Sequence, residues 1–231
     1  MHQQDAKLNN LFINHLSTDP FFFFAVVLTV VISIVLHELA HGWAAIRCGD
    51  DTPIHLNRMT GNPLVHMGPF SIMALLIAGI AWGQMPVDRT RLRGRYAEAF
   101  VAAAGPATNL LLAGVALTAL AIWLRFGTID GSDQIQVNAG KFFFLFGATN
   151  VMLCLFNLFP VPPLDGSSIL ANFNRSYANL IRDPSKQPMF FIAFVVVFAV
   201  AGPLFAKVHF WAFRYVLMLS DNIEGLLTLF S

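Results

Sequence analysis

The sequence predicts an all-α polytopic membrane protein, with about five to six transmembrane helices and a short re-entrant or surface element after the first. Three observations lead there. Of 231 residues, 56% are hydrophobic and only 12% are charged, and the mean hydropathy is +0.64. A soluble domain carries roughly twice that charged share, so the surplus apolar surface must face lipid. Apolar runs also recur at lengths near the ~20 residues that a helix needs to cross a hydrocarbon core of ~30 Å. Finally, the polar stretches between them (47–67, 84–96, 125–140 and 160–188) are too short for a second soluble domain.

The elements follow in order. Residues 1–19 form a polar N-terminal segment whose one basic residue beyond the terminus is Lys7. The apolar run from Pro20 is long and is followed by others, so 20–46 reads as a first transmembrane helix and not as a cleaved signal. Residues 69–83 are apolar but reach only about 22 Å as a helix. Gly68–Pro69 and Gln84–Met85–Pro86 flank them. They either make a short span or dip in and return, which backbone at membrane depth tolerates only where protein or water satisfies it. Segments 97–124, 141–159 and 189–206 are further spans. Residues 208–220, interrupted by His209 and Arg214, either continue the last helix past Gly202–Pro203 or form a short sixth element. A single integral-membrane domain over 20–220 and a tail over 221–231 result. The formal net charge of +1 shows no footprint for nucleic acid. Two cysteines, Cys48 and Cys154, do not make a disulfide framework.

The first helix carries chemistry. His37-Glu38-Leu39-Ala40-His41 reads HExxH. Positions i and i+4 share one helix face, so the two imidazoles can grip one metal ion, with the glutamate placed to act on a metal-bound water. Zinc lowers the pKa of such a water to about 7. On a solvated soluble helix the pattern often arises by chance. Here three polar groups end a strongly apolar helix, where a charged group costs about 2.5–3.5 kcal/mol on the insertion scale, and such groups mark functional sites. A catalytic zinc site takes three protein ligands and an open position. Candidates for the third are His55, His66, His209, Glu98, Cys48 and Asp165. Asp165 stands out because it follows a proline-broken helix end, N157-LFP-V-PP-L164.

Four blocks in order resemble the site-2 protease family of intramembrane zinc metalloproteases, in its compact bacterial branch without a PDZ domain. They are HELAHGWAAIRCGD (37–50), GNPLVHMGPF (61–70), AGPATN (104–109) and NLFPVPPLDG (157–166). The resemblance covers roughly 25–205. It implies His37, His41 and Asp165 as ligands of one Zn2+ per chain, Glu38 as general base, and Asn109 and Asn157 as substrate or oxyanion support. Relatives resemble NPLxHLDP around His66, so Met67–Gly68 is a departure.

Topology bears on this reading. One metal site needs His37, His41 and Asp165 at the same depth, so helices 20–46 and 141–159 must run in the same direction and 97–124 opposite. Residues 47–96 must then begin and end on one side, which favours a re-entrant or surface element over a single span at 69–83. The active-site side then holds Arg47, Arg58, the four arginines of 89–95, Arg175, Arg182 and Lys186, nine basic residues against five on the other side (Lys7, Arg125, Lys141, Lys207, Arg214). The positive-inside rule points that side to the cytoplasm, in a bacterial inner membrane. The expected function is zinc-dependent intramembrane endopeptidase activity on transmembrane protein substrates within the lipid bilayer. An edge strand from 52–66, or the 84–96 loop, is expected to pair with the unwound substrate. The rival is a non-catalytic metal-binding scaffold or a transporter. Glu38 argues against a scaffold, which has no use for a base. The lack of repeated halves argues against a transporter.

Overall fold

Asp19 and Pro20 start the first long helix. The Asp19 carboxylate accepts from the Phe22 amide at 3.0 Å, and proline at the first helical position is pre-set for the turn. In the computed structural model, which describes residues 11–127 and 129–230, this helix α1 runs Pro20–Arg47. It is followed by α2 (Pro63–Ala78), α3 (Ala97–Phe126), α4 (Gln134–Asn157), α5 (Asp165–Phe173), α6 (Arg175–Arg182), α7 (Gln187–Ser220) and α8 (Ile223–Thr228). Short helical turns occupy Phe12–Asn14, His15–Thr18, Thr52–His55 and Pro184–Lys186. The described residues contain no strand. Expectations for 1–10 and 231 lie outside them.

Local chemistry sets the boundaries. Asp133 accepts from the amides of Ile135 and Gln136 at 2.9 and 3.3 Å, so α4 begins ahead of the 141 that hydropathy alone indicates. α7 passes through Pro203 without ending, so 208–220 is its continuation. Val208, Ala212, Val216 and Ser220 form its buried stripe, whereas in the half before Pro203 only Phe190 is buried. Spacing by four places that stripe on one face. It packs on Leu117, Leu120 and Leu124 of α3 and Phe144 of α4, and Leu226 and Leu229, both fully buried, close the same cluster from the C-terminal segment.

α1, α3, α4 and α7 are long and apolar enough to cross a membrane, with the shorter apolar α2 beside them. The protein is an all-α, integral membrane protein. Cross-helix contacts fix the directions. His37 and His41 of α1 meet Asn109 and Val101 of α3 respectively, so those two helices are antiparallel. Asn109 and Leu117 meet Asn150 and Gly147, so α3 and α4 are antiparallel as well. α1 and α4 therefore share a direction, as the ligand argument requires.

The segment after α1 settles the question left open at 69–83. α2 is capped by Asn62, whose side-chain oxygen accepts from Leu64 N at 3.0 Å, is broken at Gly68 (φ 70, ψ 166), and ends at Gly79 with φ 72. The chain then returns alongside α2 without forming helix. Gln84 N donates to His66 O at 3.0 Å. The Ser71 hydroxyl donates to Trp82 O at 2.7 Å and accepts from Trp82 N at 2.9 Å. The hairpin thus enters and leaves at one level, and its tip, at Gly79, lies beside Phe12. The expected edge strand within 52–66 is not there: that stretch holds the Thr52–His55 turn and the start of α2. Backbone outside helix and turn lies at 80–88.

Candidate metal centre and active-site cavity

Three elements deliver the site. α1 presents His37 and His41, both buried, one turn apart on the face that meets α3. Past Asn157, three prolines in 160–163 prevent α4 from continuing. A tight turn follows, with Val161 N on Phe159 O and Leu164 N on Val161 O, both at 2.9 Å. The Tyr177 hydroxyl of α6 ties it down by donating to Pro160 O at 2.7 Å. α5 then opens with Asp165. Gly166 allows this: a Cβ there would lie 2.1 Å from the Leu158 carbonyl oxygen, closer than any side chain could sit.

The geometry converges. The Asp165 oxygens lie 3.2 Å from His37 Nε2 and 3.3 Å from His41 Nε2, and the two Nε2 atoms are 2.9 Å apart. One ligand atom from each residue falls within 4.8 Å of the others. The outer nitrogens are occupied. His41 Nδ1 lies 2.7 Å from Val101 O and His37 Nδ1 lies 2.5 Å from Asn109 Oδ1. A carbonyl oxygen only accepts, so each Nδ1 carries the proton and each Nε2 presents a lone pair. Two imidazole lone pairs and a carboxylate then face one another, and Asp165 Oδ2 is buried without a hydrogen-bond partner. That arrangement is repulsive by itself and suits a cation. Two nitrogens and a carboxylate form a donor set that fits zinc.

Around it lies a cavity of about 920 Å3, lined among others by Glu38, Gly83, Met85, Asn157 and Phe198. Glu38 is buried, and an atom built on Gly83 would approach its Oε1 to 2.6 Å, so the returning limb of the hairpin is the wall facing Glu38. At the rim, Arg89 joins Glu98 at 3.0 Å and Ser168 at 3.1 Å, linking the 84–96 loop to α3 and α5. Outside the membrane-spanning helices the same loop is pinned by Asp50, fully buried, which accepts from Thr52 N, Thr52 Oγ1 and Asp88 N at 3.0, 2.5 and 2.7 Å.

The other candidates for a third ligand sit elsewhere. His66 Nε2 donates to Thr60 O at 2.7 Å, His55 pairs with Asp51 at 2.9 Å, and His209 packs against Phe144 and Phe205. Cys48 and Cys154 are free thiols. Asn109 faces His37 with its oxygen and Asn150 with its nitrogen at 2.8 Å, so both of its polar atoms are engaged. Asn157 donates to Leu153 O of its own helix at 3.0 Å and lines the cavity. Sequence reasoning missed Asn150, Ser33 and Gly105. The available signal was the polar residue amid FFFLFGATNVMLCLF (142–156), since polar groups in apolar helices are functional by default.

The family model of Peptidase family M50 matches residues 23–130 and 125–202. Among curated proteins, YwhC of Bacillus subtilis, whose name places it provisionally among zinc metalloproteases, is 37% identical over 146 residues, 62% of this chain and 66% of that protein. Rip2 of Mycolicibacterium smegmatis, named in the same way, is 28% identical over 201 residues, 84% of this chain and 74% of the relative. Rip2 of Mycobacterium tuberculosis is similar at 28% over 200 residues, 83% and 73% of the two chains. No solved structure gives a significant match. With the family match spanning all four motifs and the three buried donors brought together, this chain belongs to peptidase family M50, the membrane-embedded zinc metalloproteases.

Proposed function

We propose that this protein is a zinc-dependent intramembrane endopeptidase that hydrolyses peptide bonds in or near transmembrane segments of other membrane proteins. The observation that carries the reading is the convergence of His37, His41 and Asp165 beside Glu38, inside a cavity, in a chain of membrane-spanning helices. His37 and His41 would hold Zn2+ through Nε2, with Asp165 as the third ligand. When bound, zinc supplies Lewis-acid activation of water and of a carbonyl. Glu38 takes the proton of the attacking water and returns it to the leaving amine, as a general base and then acid. Its burial keeps bulk water from competing for that proton.

A peptide bond in a helix hides its carbonyl, so the substrate must unwind, and its freed backbone needs partners. The 80–88 limb offers them. Trp82 and Gln84 turn their amides inward to Ser71 and His66. Bonding two residues apart matches the alternation of a strand, in which successive residues point to opposite sides. Among the described residues, the amides of Ala81, Gly83 and Met85 make no hydrogen bond, and the limb from Ile80 to Met85 lines the cavity. An unwound segment adding as a strand along this edge would lie beside Glu38. The excess of basic residues on the site side favours a cytoplasmic orientation in a bacterial inner membrane. The test is cleavage of a transmembrane peptide by reconstituted protein. Cleavage should stop with a chelator and return with Zn2+. Cleavage that persists under chelation sinks the reading.

A further inference from the structure

We propose that Asn150 on α4 is a positioning residue for the metal centre: it fixes which end of the Asn109 amide faces His37, and thereby which ring nitrogen of His37 is left free for the metal. The inference rests on His37 being a zinc ligand.

The two histidines are held differently. His41 Nδ1 meets a backbone carbonyl, that of Val101, which can only accept, so its tautomer is set in one step. His37 Nδ1 meets a side-chain amide. An amide can rotate by half a turn and exchange its oxygen for its NH2 with almost no change of shape. If Asn109 rotated, its NH2 would face Nδ1. That nitrogen would then carry the lone pair, the proton would sit on Nε2, and the metal-facing position would be blocked.

The structure holds Asn109 through a relay. Asn109 Nδ2 donates to Asn150 Oδ1 at 2.8 Å. Asn150 Nδ2 donates to Phe146 O at 2.9 Å and to Ser33 Oγ at 2.8 Å. Phe146 O is a backbone carbonyl and cannot donate, so Asn150 cannot rotate without setting its oxygen against another acceptor. With Asn150 fixed, a rotated Asn109 would likewise oppose oxygen to oxygen. Asn109, Asn150 and Ser33 are all at most 1% exposed, so little solvent reaches the clash, and an unmatched buried polar pair is costly. The signal thus starts at an α4 carbonyl, passes through two amides, and ends at the tautomer of an α1 ligand. Groups that orient a ligating histidine typically change metal affinity by 10–100-fold when removed.

The test uses full-length protein in detergent, labelled with 15N-histidine, with the His37 signals assigned by their loss in His37→Gln. Metal-free wild type should show His37 protonated at Nδ1. Zinc affinity by chelator competition should fall about 10- to 100-fold in Asn150→Leu, with new signal for His37 protonated at Nε2. Asn150→Asp keeps an acceptor for Asn109 but sets its second oxygen against Phe146 O, so it should lower the melting temperature while the folded protein keeps His37 protonated at Nδ1 and retains most of the affinity. Asn109→Asp/Asn150→Leu should recover it as well, because either carboxylate oxygen accepts from His37. Wild-type His37 protonated at Nε2 would overturn the proposal, and that measurement needs no Asn150 or Asn109 variant to fold. So would a zinc-binding wild type joined to an unchanged Asn150→Leu, or a double variant as weak as the single, which would signify packing alone. Wild type that binds no zinc would instead overturn the metal reading on which the proposal stands.

Discussion

Gly105 stands against His37 with no room for a methyl group between them. A Cβ at Gly105 would lie 2.5 Å from His37 Nε2 and 2.5 Å from His41 Nε2, in the space where three donors converge. Gly105→Ala should therefore displace the imidazoles and weaken zinc binding at least tenfold. Alanine is the better helix former by about 1 kcal/mol, so general unfolding is not the expected cause. Zinc content by elemental analysis should fall while helical circular dichroism is kept. Full zinc content in Gly105→Ala would contradict the site geometry.

Asp165→Ala should lose most of its zinc, since two histidines alone leave an incomplete set. Asp165→Asn, with a neutral oxygen, should bind more weakly than wild type and more tightly than Asp165→Ala. Retention of tight binding by Asp165→Ala would return the third-ligand question to the remaining histidines.

Ser71 closes the hairpin after α1 by two bonds to Trp82. Ser71→Ala removes both hydrogen bonds to the Trp82 backbone, a loss of about 1–3 kcal/mol at roughly 0.5–1.5 kcal/mol for each bond. Melting temperature in detergent should drop and cleavage should slow, with zinc content unchanged. An unchanged melting temperature would show that the hairpin is held by its apolar contacts with α1 instead.

Strand addition makes a positional forecast. Ala81→Pro and Met85→Pro each delete an amide that makes no hydrogen bond within the described residues, and each should lower kcat/KM without loss of zinc. Trp82→Pro deletes an inward amide and should also destabilise the fold. Equal cleavage by all three would remove the 80–88 edge from the substrate path.

Much of this arrangement was legible in the sequence, and the reasons are physical. Long apolar runs announce α1, α3, α4 and α7 because lipid demands them. The HExxH spacing puts His37 and His41 on one face because a helix repeats every 3.6 residues. The requirement of a common depth gave the direction of each long helix. What was hidden depends on distances between segments. Asn150 is one polar residue in an apolar run, and only the packing of α4 on α3 turns it towards Asn109. The family resemblance implies substrate or oxyanion support for Asn109, and only the fold shows its two polar atoms bonded to His37 and Asn150. Gly105 and Gly166 sit in visible motifs, yet what each glycine makes room for needs the fold. Sequence patterning points to a strand edge in 52–66 or the 84–96 loop, whereas the non-helical returning limb begins at 80, inside the segment that hydropathy marks as apolar.

The central claim is that Glu38 moves the proton while His37, His41 and Asp165 hold the metal. Glu38→Gln separates these roles most directly, because it keeps the shape of the side chain and removes its basicity. Zinc content and cleavage of a transmembrane peptide should be measured on the same purified sample. About one zinc per chain, as the three-ligand set requires, with cleavage lost by at least 100-fold, as expected for removal of a general base, is the predicted result. Cleavage near the wild-type rate by zinc-loaded Glu38→Gln would contradict the account.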